Sequence, residues 1–191
     1  LYLDYPSTLT FDVGYTRSDE LHIFCERTDL DLYVITGENP YDITKQFRKM
    51  IGRSYIARKS AFGFGQSRWG YKTPEDFVRV AEKYRENHIP LDMVYMDIDY
   101  MDNYKDFTVN EEFRDFPQYV ENLKKNHIRL VPIIDAGVKI EEGYDVDEEG
   151  VEKNYFCKRQ DGSDFVAAVW PRYTHFPDVL NPDARKWFGE K

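Results

Sequence analysis

One stretch of the sequence concentrates groups able to do chemistry. In Met96-Asp97-Ile98-Asp99-Tyr100-Met101-Asp102, carboxylates follow directly on an apolar run. Side chains two apart on a strand share a face, so Asp97 and Asp99 are expected to point the same way. Two carboxylates at a strand end can accept hydrogen bonds from hydroxyls, hold Mg²⁺ or move protons. The competing reading is that Asp99 and Asp102 only cap a loop. Buried strand ends seldom carry unpaired acids, which keeps the functional reading open. A second apolar run, 129–135, also ends in an acid, with Ile133 and Asp135 on one face.

Other candidate clusters are weaker. Asp145-Val146-Asp147-Glu148-Glu149-Gly150 imitates the start of a calcium loop, but Phe156 stands where the twelfth-position Glu belongs. A solvated acidic loop is the better reading, and no metal or other cofactor is expected. No Ser-His-Asp or Cys-His arrangement is visible. His88 and His127 fall at helix C-termini, where the dipole favours a cation. His175 lies in a loop that could face a site. Cys25 and Cys157 form no CxxC pair and read as idle thiols of a reducing compartment, so a cytoplasmic location is expected.

The elements that must position these groups follow from periodicity. Stretches 9–13, 21–24 and 30–35 alternate apolar and polar residues, as half-buried strands do. Pro40 opens a helix with Ile43, Phe47 and Met50 on one face, and Gly52 ends it; it reads as a linker. After residue 60 the rhythm becomes strand (61–66), helix (74–88), strand (92–98), a helix starting at 115, and strand (129–135). Thr73-Pro74-Glu75-Asp76 supplies a cap, an N1 proline and first-turn acids. This βαβ order implies a parallel sheet, whose ligand sites lie at strand C-terminal ends in both barrels and open sheets. Residues 136–176 show no helical pattern and read as a β-hairpin insertion turning at Asp161-Gly162. Asn181-Pro182-Asp183 starts a last helix that runs out of sequence at Lys191. With the abrupt first strand, this leads us to expect an internal piece of a longer chain.

The bulk numbers narrow the partners. The chain has 191 residues, enough for one domain with a real core. A net charge of −9 repels phosphate backbones and makes nucleic acid an unsuitable partner. No apolar run is long enough to span a membrane. Aromatics make up 16% of the chain, a load that suits a core and also a surface that stacks sugar rings.

Three stretches together resemble glycoside hydrolase family 31, the α-glucosidase type. They are Gly65-Gln66-Ser67-Arg68-Trp69-Gly70-Tyr71; then 96–102 continued by Lys105-Asp106-Phe107-Thr108; then Val169-Trp170-Pro171 through Phe176-Pro177-Asp178 to Asn181-Pro182. The resemblance implies an α/β fold holding the first three strands of a (β/α)8 TIM barrel over 60–191, with the β-hairpin insertion at about 136–176. Residues 1–37 would be remnant strands of an antiparallel β-sandwich and 38–59 the linker. It implies a retaining, exo-acting, metal-free enzyme releasing terminal glucose from a small-molecule α-glucoside or oligosaccharide. The family nucleophile lies in a W-x-D-M-N-E motif, which this sequence lacks, so no catalytic residue is expected here. Carried over residue by residue, Asp97 resembles the aspartate that holds sugar hydroxyls. Ile98, Ile133 and Trp170 resemble pocket walls, Trp69 a rim aromatic, and Asp135 a weaker binding candidate. The family's W-P-G reads Trp170-Pro171-Arg172 here, so either the loop differs or Arg172 reaches toward the site. A second resemblance, to haloacid-dehalogenase-like phosphatases, rests on the D-x-D pattern alone. Met101 stands where that family prefers Thr or Val, and no phosphate loop accompanies it. An inactive, non-catalytic sugar-binding fragment is the remaining alternative. Three strands cut from a barrel would leave an open edge, so self-association of the piece is expected.

Overall fold

The computed structural model describes residues 1–27 and 29–191, and the chain divides into two compact units, 1–56 and 57–191. The first unit has two antiparallel ladders. β1 (Tyr2–Asp4) pairs with β4 (Asp31–Tyr33), and β2 (Leu9–Val13) pairs with β3 (Leu21–Cys25). Helix α1 (Pro40–Ile51) starts at Asn39, whose side chain accepts from the Tyr41 and Asp42 amides. Its Phe47 ring meets Tyr2 edge-on, with centroids 5.3 Å apart. The helix read as a linker therefore packs inside the first unit, and the division falls after Ile56 instead of at residues 37 and 59.

The second unit is built on three parallel strands in the order β5 (Gly65–Ser67), β6 (Met93–Met96), β7 (Arg129–Pro132). The connections are α2 (Pro74–Glu86) and α3 (Phe116–Lys125). Helix α2 forms because Thr73 precedes Pro74 and because Asp76 accepts from the Lys72 and Thr73 amides. Its Phe77 and Ala81, a turn apart, are buried against Val94, Met96, Tyr119, Leu123 and Ile128. Burying a residue the size of Phe77 stabilises by roughly 1.5–3 kcal/mol, so this cluster is the main anchor of the sheet. Both connecting helices end alike: Asn87-His88 and Asn126-His127 each put the histidine in left-handed backbone, at φ 56° and 58°. Each histidine is thus the residue that stops its helix.

Two strand boundaries differ from expectation. The stretch 61–66 is first a 3₁₀ turn, Lys59–Phe62, and only then strand β5. Gly65 is needed there because a Cβ would lie 2.6 Å from the Tyr95 ring of the neighbouring strand. Strand β6 stops at Met96, and Ile98–Tyr100 form a 3₁₀ turn capped by Asp97. Asp97 and Asp99 therefore do not share a strand face, and the expected matched pair is not formed.

The region 136–176 is also corrected. It contains a helix, α4 (Asp145–Glu152), where a solvated acidic loop was expected. Its acids satisfy the N-terminal dipole, while Val146 and Gly150 face inward. Gly150 is irreplaceable in this packing, since a Cβ would sit 2.3 Å from the Phe156 ring. With Val138, Tyr144, Phe156 and Trp187 of α5 (Pro182–Glu190), Val146 makes a second small core. The insertion sheet has the order β8 (Val138–Lys139), β10 (Arg172–His175), β9 (Val166–Val169). Its hairpin turns at Trp170-Pro171, with Val169 paired to Arg172. The Asp161-Gly162 turn is real, closed by the Lys158–Asp164 bridge and by backbone hydrogen bonds from Arg159 to Ser163 and from Phe165 to Cys157, without extended strands on either side.

Candidate functional site

The parallel strands all end at one edge of the sheet, and the candidate residues follow them there. Asp97 comes immediately after β6, Ile133 immediately after β7, and Trp69 two residues after β5. Trp170 is brought to the same place by the β9–β10 hairpin. Together with Ile98 and Tyr104, these residues line one cleft of about 540 Å³. The size is in the usual range for small-molecule sites. The lining is graded in depth. Ile98 is 7% exposed, whereas Trp69 is 68% and Trp170 72% exposed, so an apolar floor opens to an aromatic mouth.

Asp97 is half-buried, and one of its oxygens accepts from the Ile98 amide at 2.8 Å. Its remaining lone pairs are free to accept from a ligand, and a carboxylate only accepts, which suits it to a hydroxyl-rich ligand. Asp135 does not line the cleft, but lies close enough for the Asp97 charge to act on it. Burial first, and the Asp97 charge second, raise its carboxyl above the usual carboxylate range. The Asp135 Oδ2 atom is buried with no partner among the described residues.

Behind these residues lies a buried polar support that no spacing argument identified. Asp106 is 1% exposed, and its Oδ1 accepts from the Asp135 amide at 2.9 Å. Its own carbonyl accepts from the Tyr144 hydroxyl at 2.9 Å. The Tyr100 hydroxyl donates to the Ile133 carbonyl at 2.7 Å, and the Ile133 amide donates to the Met96 carbonyl at 3.0 Å. The two strand ends are thus tied to each other and to the loop after β6. Burial pushes the Asp106 carboxyl up to about 6, against the hydrogen bond from the Asp135 amide and with a smaller upward push from the Asp135 charge. Burial, with Asp106 and Asp135, pushes the Tyr100 hydroxyl up to about 12.

One expectation fails here, and one of the two alternatives for Arg172 is not met. His175 does not face the cleft; it is buried in β10, stacked on Phe156, with Nδ1 2.7 Å from Asp147 Oδ1. Nor does Arg172 line the cleft. It takes φ +80°, the conformation that glycine would adopt without strain. Pro171 cannot take positive φ, so the tight Trp170-Pro171 turn passes the left-handed residue to its exit. Tyr104 and Asp106 went unassigned because neither sits on a periodic element. Only the Asp106-Phe107-Thr108 run carried a signal.

Among the described residues, no cluster of three metal-ligating side chains occurs, and no helix is long and apolar enough to cross a membrane.

The comparisons with known proteins agree on one family. Residues 54–191 match the Glycosyl hydrolases family 31 TIM-barrel domain. Over its whole length the chain is 38% identical to Alpha-glucosidase 2 of Bacillus thermoamyloliquefaciens, covering 24% of that protein. It is 36% identical to Alpha-glucosidase of Schizosaccharomyces pombe over 81% of the chain and 17% of that protein. The crystal structure of a family 31 alpha-glucosidase from Bacteroides thetaiotaomicron superposes with a TM-score of 0.80 at 26% identity, over 97% of this chain and 31% of that one. A glucosidase II alpha subunit superposes with a TM-score of 0.76 at 33% identity, over 80% of this chain and 16% of that one. The D-x-D phosphatase reading finds no support in these relatives and is set aside. The chain spans about a quarter or less of the curated relatives named here, and it belongs to glycosyl hydrolase family 31, residues 54–191 being part of that family's TIM-barrel domain.

Proposed function

We propose that the protein containing this chain is an exo-acting, retaining α-glucosidase that releases terminal α-linked glucose from oligosaccharides. In this reading the chain supplies part of the pocket for the terminal sugar. The observation that carries it is the convergence of Asp97, Ile98, Ile133, Trp69 and Trp170 on one cleft at the ends of parallel strands. Asp97 accepts two hydroxyl hydrogen bonds and fixes the ring's rotation, while Ile98 and Ile133 exclude water beneath it. Trp170 and Trp69 offer flat apolar faces to the C–H face of the ring. Asp135, the weaker candidate, lies outside the cleft lining and is near enough to Asp97 to feel its charge. Retention requires two carboxylates about 5–5.5 Å apart. We assign neither to this chain, because no W-x-D-M-N-E sequence occurs in it. The alternation of apolar and polar residues in 1–37 supports reading these strands as part of a β-sandwich preceding the barrel. The uncovered edges of β5 and β7 support self-association of the segment when it is alone.

The test is Asp97→Asn in the full-length protein, assayed on p-nitrophenyl α-glucoside beside the isolated segment. The variant is expected to lose roughly 10- to 100-fold in kcat/KM, the worth of one or two hydrogen bonds to a charged group. The isolated segment is expected to show no turnover. Robust hydrolysis by the segment, or an unchanged Asp97→Asn enzyme, overturns the reading.

A further inference from the structure

We propose that Tyr104 is a specificity-determining residue of this cleft, one that holds the sugar attached to the terminal glucose. The inference rests on the glycosidase reading and extends it to the second ring. Tyr104 lines the cleft with 39% exposure, intermediate between buried Ile98 and the open Trp69 and Trp170. A terminal pyranose held by Asp97 over the Ile98 floor leaves its aglycone between floor and mouth, and Tyr104 is the aromatic side chain at that level.

The backbone shows that this placement is imposed. Asn103 and Tyr104 both adopt left-handed conformations, at φ 49° and 62°. Asparagine tolerates this region, but a bulky aromatic is a genuine outlier there. Such strain persists only where surrounding contacts over-determine it. Those contacts are present. Lys139, from the insertion strand β8, donates to the Asn103 carbonyl at 3.1 Å. Lys105, its side chain 16% exposed, pairs with Asp102 at 2.9 Å and Glu141 at 3.1 Å. The Asp102 amide donates to Thr108 Oγ1 at 3.0 Å, and that hydroxyl donates to the Lys105 carbonyl at 2.6 Å. A loop that needed only to turn would place Gly or Asn at this position at no cost. A tyrosine held there against its preference, at a position that lines the cleft, is explained by what its side chain meets there.

The experiment compares Tyr104→Ala and Tyr104→Phe with wild type in the full-length protein. Two quantities are read: kcat/KM for maltose, and the inhibition constant for glucose, which fills only the terminal position. Tyr104→Ala is expected to lose about tenfold on maltose, carried by KM, the scale of one aromatic contact. Its glucose inhibition should stay within about twofold of wild type. Tyr104→Phe, which keeps the ring, should stay close to wild type on both. Should the Ala variant fail to fold, Tyr104→Leu reads the same loss. Equal losses on maltose and glucose, or no loss on either, overturn the role of Tyr104 alone. A wild-type protein that neither cleaves maltose nor is inhibited by glucose overturns the glycosidase reading as well, and so separates the two failures.

Discussion

Replacing Asp106 by Asn tests whether the support behind the cleft carries a buried charge. Asp106 is almost fully buried, yet its Oδ2 has no partner among the described residues. Asp135 adds a second acidic group, and the hydroxyls of Tyr100 and Tyr144 are committed to the carbonyls of Ile133 and Asp106. The Asp106 carboxyl therefore titrates near 6 in the folded chain against 3.8 when exposed. The folded state binds the proton more tightly, so the stability gained from it is complete below about pH 4. It is lost as pH rises through about 6. Two pH units amount to about 3 kcal/mol, roughly a hundredfold in the folding equilibrium. An amide keeps the acceptor for the Asp135 N–H but never ionises. Asp106→Asn and wild type should therefore be similarly stable at pH 4, and the variant should gain about 3 kcal/mol on wild type by pH 8. Asp135 titrates in both proteins, and its repulsion of the ionised Asp106, present only in wild type, acts in the same direction. Urea unfolding of the full-length protein at several pH values measures this. A difference that does not change with pH, or one that favours wild type as pH rises, refutes the argument.

Four further outcomes are expected. Arg172→Gly should raise stability by about 1 kcal/mol, read as a higher melting temperature, because it relieves the positive φ at the hairpin exit. His175→Ala leaves Asp147 buried without its partner and should cost about 3 kcal/mol, visible in denaturant midpoints. Gly150→Ala forces a methyl into the Phe156 ring and should cost roughly 1–3 kcal/mol by the same measurement. The isolated segment should scatter light as an oligomer, since Ile134, Phe62 and Phe64 are exposed beside unpaired strand edges; a monomeric, cooperatively melting segment would refute this.

The barrel half of the fold was legible because its signals are local and redundant. Thr73, Pro74 and Asp76 announce a helix three times over, and Phe77, Ala81 and Tyr84 repeat at its period. The apolar runs before Asp97 and Asp135 read as strands, and both form, β6 largely buried and β7 half-buried at its centre. Helix α4 was hidden because its Asp145, Asp147, Glu148 and Glu149 imitate a loop, while its inward face holds Val146, a glycine and Asp147 itself. That glycine signals a break unless the Phe156 ring it accommodates is known, and that ring arrives by tertiary packing alone.

The site divides along the same line. Residues that touch a ligand directly stand at strand ends, and a strand end is visible in sequence as the place where apolar runs meet polar residues. Residues that set the positions of those strand ends have no such mark. Asp106 acts on Asp135 across 29 positions, and Lys139 acts on Asn103 across 36. Both links join the loop after β6 to chain that follows β7. The insertion is thereby part of the site's geometry, although Trp170 is its one residue in the cleft. A substitution in β8 that leaves every lining residue untouched should still move Tyr104, because the strained turn beneath it is held from outside. Lys139→Met is the direct case. It removes the donor to the Asn103 carbonyl and should weaken maltose turnover in the same direction as Tyr104→Ala, with glucose inhibition unchanged. If it leaves maltose kinetics untouched, the loop holds its shape without the insertion, and the over-determination argued here is wrong.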